Sequence, residues 1–400
     1  MFVKIQRNMI SVKEAIDFVV NNTNTTTKVK EKPLQECLGF TLAKDVLSAI
    51  NMPPFRQSSM DGYAVHIHDK NTYKLIGEVQ AGSSNHPTLQ RGEAVRIFTG
   101  APVPDTANCV LIQENVQVEN DTIHYDKKTI LNDNIRSIGD QTHKGAIALK
   151  KGTKLNAAAI GYLTTLGVTM VNVYAKPQVA ILITGDELVE AGKELTYGKV
   201  YESNAAMLKN ALLSIGYQAT VHQVKDNYEA TRNTLAAIIE NNDLVFISGG
   251  ISVGDYDFVG KALKELDVNQ IFYKVKQKPG KPLFFGKKGT TTIFALPGNP
   301  ASALCCFYIY GHLALERISG NTAFKHQQMK LSCDTDFIKK GTRAQFLKAD
   351  TQGNSVRILE GQNSATLHTY AVSNALVFLE EETMQVTKGE MVTLYKLPII

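Results

Sequence analysis

Residues 244–257 read Leu-Val-Phe-Ile-Ser-Gly-Gly-Ile-Ser-Val-Gly-Asp-Tyr-Asp, and few folds accommodate such a stretch. The apolar, partly β-branched run 244–247 fits a strand buried on both faces, as in a parallel sheet. At Ser248 the strand stops. Gly249, Gly250 and Gly254 then let the backbone approach a ligand closely, Ser248 and Ser252 add hydroxyl donors, and an amphipathic helix over 258–266 follows at once. Backbone N–H groups and a helix N-terminus aimed at one spot suit an anion. Asp255 and Asp257 stand beside them, and a carboxylate next to a bound phosphate is repulsive unless a cation or a proton lies between. The stretch therefore predicts a phosphorylated ligand together with a metal ion.

The flanking sequence extends this reading. From Pro177 onward strand and helix patterns alternate: strand 179–183, helix 204–214, strand 218–224, helix 228–239, then 244–247. Such alternation predicts a doubly wound α/β domain, a parallel sheet with helices on both faces. Ligands bind such sheets beyond the carboxyl ends of the strands. Acidic residues stand at those ends: Asp186 and Glu187, Asp226, and Asp255 with Asp257. One alone would read as a helix cap; together they suit the oxygen ligands of a hard cation.

Two proline-glycine elements complete the domain, Lys278-Pro279-Gly280-Lys281-Pro282 and Leu296-Pro297-Gly298-Asn299-Pro300-Ala301-Ser302. Both read as rigid turns. Lys274, Lys278 and Lys281 also bring three cations near one turn, and the segment from Asn299 to Ser302 forms a helix start, so both elements suit phosphate as well. The helix pattern 303–315, with Cys305, Cys306, Phe307 and Tyr308, reads as core.

Around this domain the text is different. A capping box, Ser11-Val12-Lys13-Glu14, opens a helix near the start. Consecutive prolines at Pro53 and Pro54 mark a crossing into a module of short alternating runs, hence mostly β. A further helix, 157–166, ends at Gly167, the usual left-handed cap. After Gly320 the pattern is again β, a small domain with the spacing of a barrel. Arg343 and Ser364 in this last part read as members of a solvated face, with contact to a neighbouring module's ligand as the alternative. The expected division is 1–50 with 140–175 as an elongated first domain, 51–139 as a β insertion, 176–325 as the α/β domain and 326–400 as the barrel.

Composition excludes several classes. Lys+Arg 43 against Asp+Glu 38 gives +5, without a basic block or any Trp, so no nucleic-acid surface is indicated. The five cysteines are odd in number and lack metal-ligand spacing, which argues for reduced thiols in a cytoplasm. No run reaches the roughly 18 apolar residues needed to span a bilayer, and no secretory signal is visible at the start, so no membrane contact is expected.

The stretches Ser59-Met60-Asp61-Gly62-Tyr63-Ala64, Thr99-Gly100-Ala101-Pro102-Val103-Pro104, Thr184-Gly185-Asp186-Glu187-Leu188, the run from Ser248 to Asp257, Lys278-Pro279-Gly280-Lys281-Pro282 and Leu296-Pro297-Gly298-Asn299-Pro300 resemble, in order, the signature set of the molybdopterin molybdenumtransferases, the MoeA and gephyrin E-domain family. The resemblance implies an elongated four-part homodimer whose site lies between the α/β domain of one subunit and the β insertion of the other. It implies insertion of molybdate into adenylylated molybdopterin, with AMP released and magnesium required. By matching motif, Asp61, Glu187, Asp226 and Asp257 would serve the reaction, with Glu187, Asp226 and Asp257 holding magnesium. Ser248, Gly249, Gly250, Ser252 and Gly254 with Lys274, Lys278 and Lys281 would hold phosphates and pterin. Thr99, Pro297, Gly298, Asn299, Pro300 and Ser302 would shape the molybdate and pterin end.

There are two departures from the family pattern. Arg56 replaces an acidic or amide residue, and Gly139-Asp140-Gln141 replaces Gly-Glu-Asp, which leaves Asp140 as the nearby carboxylate for that corner of the site, with the Gln141 amide, donating to a molybdate or phosphate oxygen, as the alternative. Candidate protein partners are a molybdopterin adenylyltransferase and molybdoenzyme maturation proteins. The rival readings are an adenylyltransferase-like nucleotide enzyme and a non-catalytic gephyrin-type scaffold.

Overall fold

The computed structural model describes residues 9–251 and 258–398. Ser252, Gly254, Asp255 and Asp257 therefore lie outside the described residues. The chain divides into two compact units, one of Met1–Lys30, Gly39–Thr41 and Tyr174–Ile400, the other of Glu31–Leu38 and Leu42–Val173.

Helix α1 (Val12–Asn22) begins at the capping box read from the sequence: the Glu14 N–H donates to Ser11 Oγ and the Ser11 N–H to Glu14 Oε2 at 2.8 Å. The second unit is built on a six-stranded sheet of β1 (Gly62–Val65), β2 (Thr72–Val79), β3 (Glu93–Ile97), β4 (Cys109–Ile112), β5 (Gln117–Glu119) and β6 (Thr122–His124), in the order β4-β1-β3-β2-β6-β5. Both of its faces are covered. Ala64, Val95, Ile97 and Val110 pack on one side, and Tyr63, Val65, Ala94 and Leu111 on the other, as a two-residue period demands. Helix α2 (Ala157–Thr165) follows, with Asn156 as its N-cap.

In the first unit the α/β sheet comprises β7 (Val179–Thr184), β8 (Ala219–Val224), β9 (Leu244–Ser248), β10 (Asn269–Tyr273), β11 (Phe284–Lys288) and β12 (Thr291–Leu296), ordered β8-β7-β9-β12-β11-β10. Strands β8, β7, β9 and β12 are parallel, but β11 runs antiparallel to both of its neighbours. The wholly parallel sheet expected from alternation is thus mixed. Only Gly289 and Thr290 separate β11 from β12, and a two-residue link can join only antiparallel strands.

The doubly wound layering is visible strand by strand. Ile181, Ile183, Phe246, Phe294 and Leu296 face a core shared with α3 (Asn204–Ser214), and Ala180, Leu182, Val245, Ile247 and Ala295 face α4 (Tyr228–Asn241) and α5 (Phe258–Glu265). Phe246 is fully buried and stacks on Phe294 at 5.8 Å. Such a ring contributes about 2–3 kcal/mol by leaving water. Val12, Ala15 and Val19 of α1 join the first of these cores.

The long helical stretch after β12 consists of α6 (Pro300–Cys306), a π turn (Phe307–Gly311) and α7 (His312–Ile318); its Cys305, Cys306, Phe307 and Tyr308 are buried, as the core reading expected.

Beyond it, β13 (Gln328–Cys333), β14 (Ala344–Gln352), β15 (Ser355–Ile358), β16 (Ala375–Leu379) and β17 (Met391–Lys396) close a ring through β14-β15-β13-β17-β16 and back to β14. This is the small barrel expected from the sequence, and closure removes the exposed strand edges. No helix among the described residues is long and apolar enough to cross a membrane.

Candidate functional site

The carboxyl ends of β7, β9 and β12 lie level. Ser248 is paired with both Ile183 and Leu296, so the segments after these strands leave the sheet at one edge. At that edge opens a cavity of about 670 Å³. Its wall includes Glu187 from the segment after β7, Gly249 and Gly250 after β9, Pro297, Gly298, Asn299, Pro300 and Ser302 after β12, and Lys278 and Lys281 from the turn before β11. The proline-glycine elements that read equally as turns or as ligand loops therefore both border the cavity.

The barrel contributes Arg343 and Ser364 to the same wall. Arg343 donates from Nη1 to the Gln277 carbonyl at 3.0 Å, and Asn299 Nδ2 donates to Ser364 Oγ at 3.0 Å. Lys278, Lys281 and Arg343 give this wall three cations, against the carboxylates of Glu187 and Glu202. Lys274, by contrast, adopts a left-handed backbone at φ 74° and sets its ammonium 4.9 Å from the Tyr273 ring; among the described residues it does not line the cavity.

Asp226 is held at the neighbouring strand ends. Its Oδ1 accepts from the Thr184 hydroxyl at 2.7 Å and its Oδ2 from the Asp186 N–H at 3.3 Å, while its own N–H donates to Asp186 Oδ1 at 3.1 Å. The segments after β7 and β8 are thereby tied together. Among the described residues no three His, Cys, Asp or Glu side chains converge as a metal-binding group, and the third carboxylate expected there, Asp257, is outside them.

In the second unit two of the signature stretches meet. The Thr99 N–H donates to Asp61 Oδ1 at 2.7 Å, and this bond, seconded by the Thr99 hydroxyl and the Arg96 charge, holds the Asp61 carboxyl below the usual carboxylate range. Asp61 and Thr99 are both exposed. Asp140 and Gln141 are exposed too, in a turn where the Asp140 N–H donates to the Ser137 carbonyl and the Gln141 N–H to the Met52 carbonyl. Arg56, the other departure, donates to the carbonyls of Pro104, Asp105 and Ala107, so it fastens the turn that follows the Thr99 stretch.

Residues 10–167 match the MoeA N-terminal region (domain I and II), 180–317 a probable molybdopterin binding domain and 330–397 the MoeA C-terminal region (domain IV). A molybdopterin molybdenumtransferase of Haemophilus influenzae is 33% identical over 96% of this chain and 98% of its own length. The chain belongs to the MoeA family. Another molybdopterin molybdenumtransferase, from Staphylococcus epidermidis, is 31% identical over 97% of this chain and 95% of its own length. The fold agrees: a molybdopterin biosynthesis moeA protein from Pyrococcus horikoshii OT3 superposes with a TM-score of 0.85 at 27% identity, covering 97% of this chain and all 100% of the other.

Within this MoeA-family cavity the sequence reading missed Asn204. It begins α3, yet its side chain turns inward: Nδ2 donates to Ser248 Oγ at 2.8 Å and to the Gly298 carbonyl at 2.7 Å, bridging the ends of β9 and β12. Its Oδ1 is buried and has no hydrogen-bond partner among the described residues. The available signal was the polar run Glu202-Ser203-Asn204 before an apolar helix, which reads as an N-cap; Glu202 Oε1 does accept the Ala205 N–H at 2.9 Å. Nothing in that run indicates that the third residue points at two other strands. Arg343 and Ser364 were misjudged for a related reason, since a barrel residue reaches another domain's cavity only through tertiary contact.

Proposed function

We propose that this chain inserts molybdate into adenylylated molybdopterin and releases AMP, the reaction of molybdenum cofactor biosynthesis. The observation that carries this reading is the cavity at the level ends of β7, β9 and β12, where three cations face glycine- and proline-shaped turns. A site of this kind suits an anionic ligand with one extended polar face. Lys278, Lys281 and Arg343 neutralise oxyanion charge, and the turns at Gly249, Gly250 and Gly298 let the ligand lie against backbone. Ser364, whose oxygen already takes the Asn299 amide, has its O–H proton left for the ligand. Cleavage next to a phosphate needs such charge neutralisation more than it needs a protein nucleophile.

Magnesium fits the chemistry of the donor set. Among the described residues each Asp226 oxygen takes a single hydrogen bond, which leaves lone pairs for a cation, and Glu187 is exposed at the cavity wall. With Asp257 these carboxylates are hard oxygen ligands. Bound there, the ion would offset phosphate and molybdate charge; Asp226 and Glu187 would orient it. Asp61, Thr99 and Asp140 belong to the other unit, and their part in the site rests on dimer formation in the way the family resemblance implies. We further propose the division 1–50 with 140–175, 51–139, 176–325 and 326–400, and a cytoplasmic location, supported by five buried cysteines without disulfides.

Purified protein mixed with adenylylated molybdopterin, molybdate and magnesium is expected to yield AMP and molybdenum-loaded pterin by mass spectrometry. Unchanged adenylylated pterin would refute the activity. A scaffold predicts that outcome, and an adenylyltransferase-like enzyme instead predicts pyrophosphate release from ATP and free molybdopterin.

The shared site makes a separate prediction. Asp61→Ala and Asp257→Ala proteins, each inactive alone, are expected to recover about a quarter to a half of activity after subunit exchange, because a two-fold heterodimer rebuilds one intact site. Recovery no greater than that of the separate variants, with exchange verified, would place both carboxylates in one subunit's site.

A further inference from the structure

Lys348 lies in the middle of β14 and is 3% exposed. A lysine so buried normally costs stability unless every donor is satisfied. Here the ammonium meets three backbone carbonyls of one loop, Gly361 at 2.6 Å, Thr366 at 2.9 Å and Asn363 at 3.3 Å. Its own backbone is bound to the same loop: the Lys348 N–H donates to Gln362 Oε1 at 2.9 Å, and Gln362 Nε2 donates to the Lys348 carbonyl at 2.8 Å. The loop between β15 and Thr366 is therefore wrapped around one amine. The bonds converge on it from both sides of Ser364, the residue this loop carries to the cavity wall.

The neighbours of the amine do not explain it as a charge site. The Tyr370 ring lies 5.6 Å from Nζ, and Cys305, the other polar group close by, is kept neutral because burial pushes its thiol up to about 12. What the ammonium supplies is three donors at a point where a loop has three inward carbonyls and no strand to pair with. A hydrocarbon side chain would take this donor from all three, leaving the Gly361 carbonyl only the Thr369 hydroxyl at 3.4 Å and the Asn363 carbonyl only the Thr366 N–H at 3.3 Å among the described residues.

We infer that Lys348 is a positioning residue for anion binding: by holding the carbonyls of Gly361, Asn363 and Thr366 it sets the Ser364 hydroxyl against Asn299 at the cavity. This rests on the reading of Ser364 as a ligand group in the proposed reaction. The barrel then acts in the chemistry of the α/β domain although, among its described residues, only Ser364 and Arg343 reach the cavity wall. Lys348 never touches the ligand. Its effect passes wholly through the loop.

The test is a double-mutant cycle read as the Kd for molybdate by calorimetry on the whole protein, with turnover at saturating molybdate measured beside it. Ser364→Ala is expected to weaken molybdate binding about 5-fold, the usual worth of one hydrogen bond. Lys348→Met is expected to weaken it as much or slightly more, with its turnover at saturating molybdate kept, and the double variant is expected to bind no more weakly than Lys348→Met alone. Lys348→Gln keeps two N–H donors and is expected to fall between wild type and Lys348→Met; it also serves if the Met variant fails to fold. Should Ser364→Ala weaken binding while the folded Lys348 variants leave it unchanged, or should the effects multiply, Lys348 is only a structural lysine and the inference is wrong. No effect from Ser364→Ala would overturn the ligand role of Ser364 itself, and the inference with it.

Discussion

Gly249→Ala is expected to lower kcat/KM by roughly 100-fold, the scale on which a displacement of about 1 Å at a reacting site costs rate. Gly249 has φ 97°, and a methyl group there would lie 2.3 Å from the Thr184 carbonyl oxygen. That oxygen belongs to the end of β7, a strand buried along its length, and cannot retreat. Gly250 must move instead, changing the cavity wall that it shares with Lys278 and Lys281. The left-handed backbone adds about 1–3 kcal/mol of strain for any residue with a side chain. Steady-state kinetics with a melting curve checks this: a folded variant with wild-type kcat/KM would mean that the glycine turn does not shape the site.

Gly62→Ala is expected to act on the other unit, and on stability rather than on chemistry directly. A Cβ at Gly62 would fall 1.8 Å from the Leu111 carbonyl oxygen, inside the β1–β4 pairing where Gly62 stands opposite Ile112. The edge strand β4 would have to part from β1, at a cost of about 3 kcal/mol by the scale of overpacked cores. Hydrogen exchange should show early opening of 62–65 and 109–112. The described lining residues of the cavity all belong to the first unit, so any loss of activity is expected to come through Asp61 and Thr99 of the second. Protection at wild-type level throughout β1 and β4 would contradict the strand pairing described.

These two glycines show how a motif divides its labour. In Met60-Asp61-Gly62-Tyr63, the glycine is required by a neighbouring strand, while Asp61 reaches the Thr99 amide and is left exposed for other work. From the sequence the motif was a single unit with a single implied role. The structure separates the residue that lets the sheet form from the residue that faces solvent.

Much of the architecture was legible in the chain. Strand and helix periods, the capping box at Ser11, the turn elements around Pro279 and Pro297 and the β character of both flanking parts are local, each written within about ten residues, so backbone preference and side-chain alternation suffice to read them. The glycine turn after Leu244–Ser248 was legible for the same reason: Gly249 and Gly250 take positive φ, a property of their own backbone. Tertiary structure alone decided which loops share an edge. The order β8-β7-β9-β12-β11-β10 brings Ser248 level with Leu296 across 48 residues of sequence, reverses β11 and lets Asn204 bridge two strands that it does not adjoin in sequence. It also turns Arg343 and Ser364 from an expected solvated face into part of the cavity wall. Such placements depend on strand order, register and the packing of one domain on another, and these are set by the sum of many distant contacts, so no short window of residues contains them.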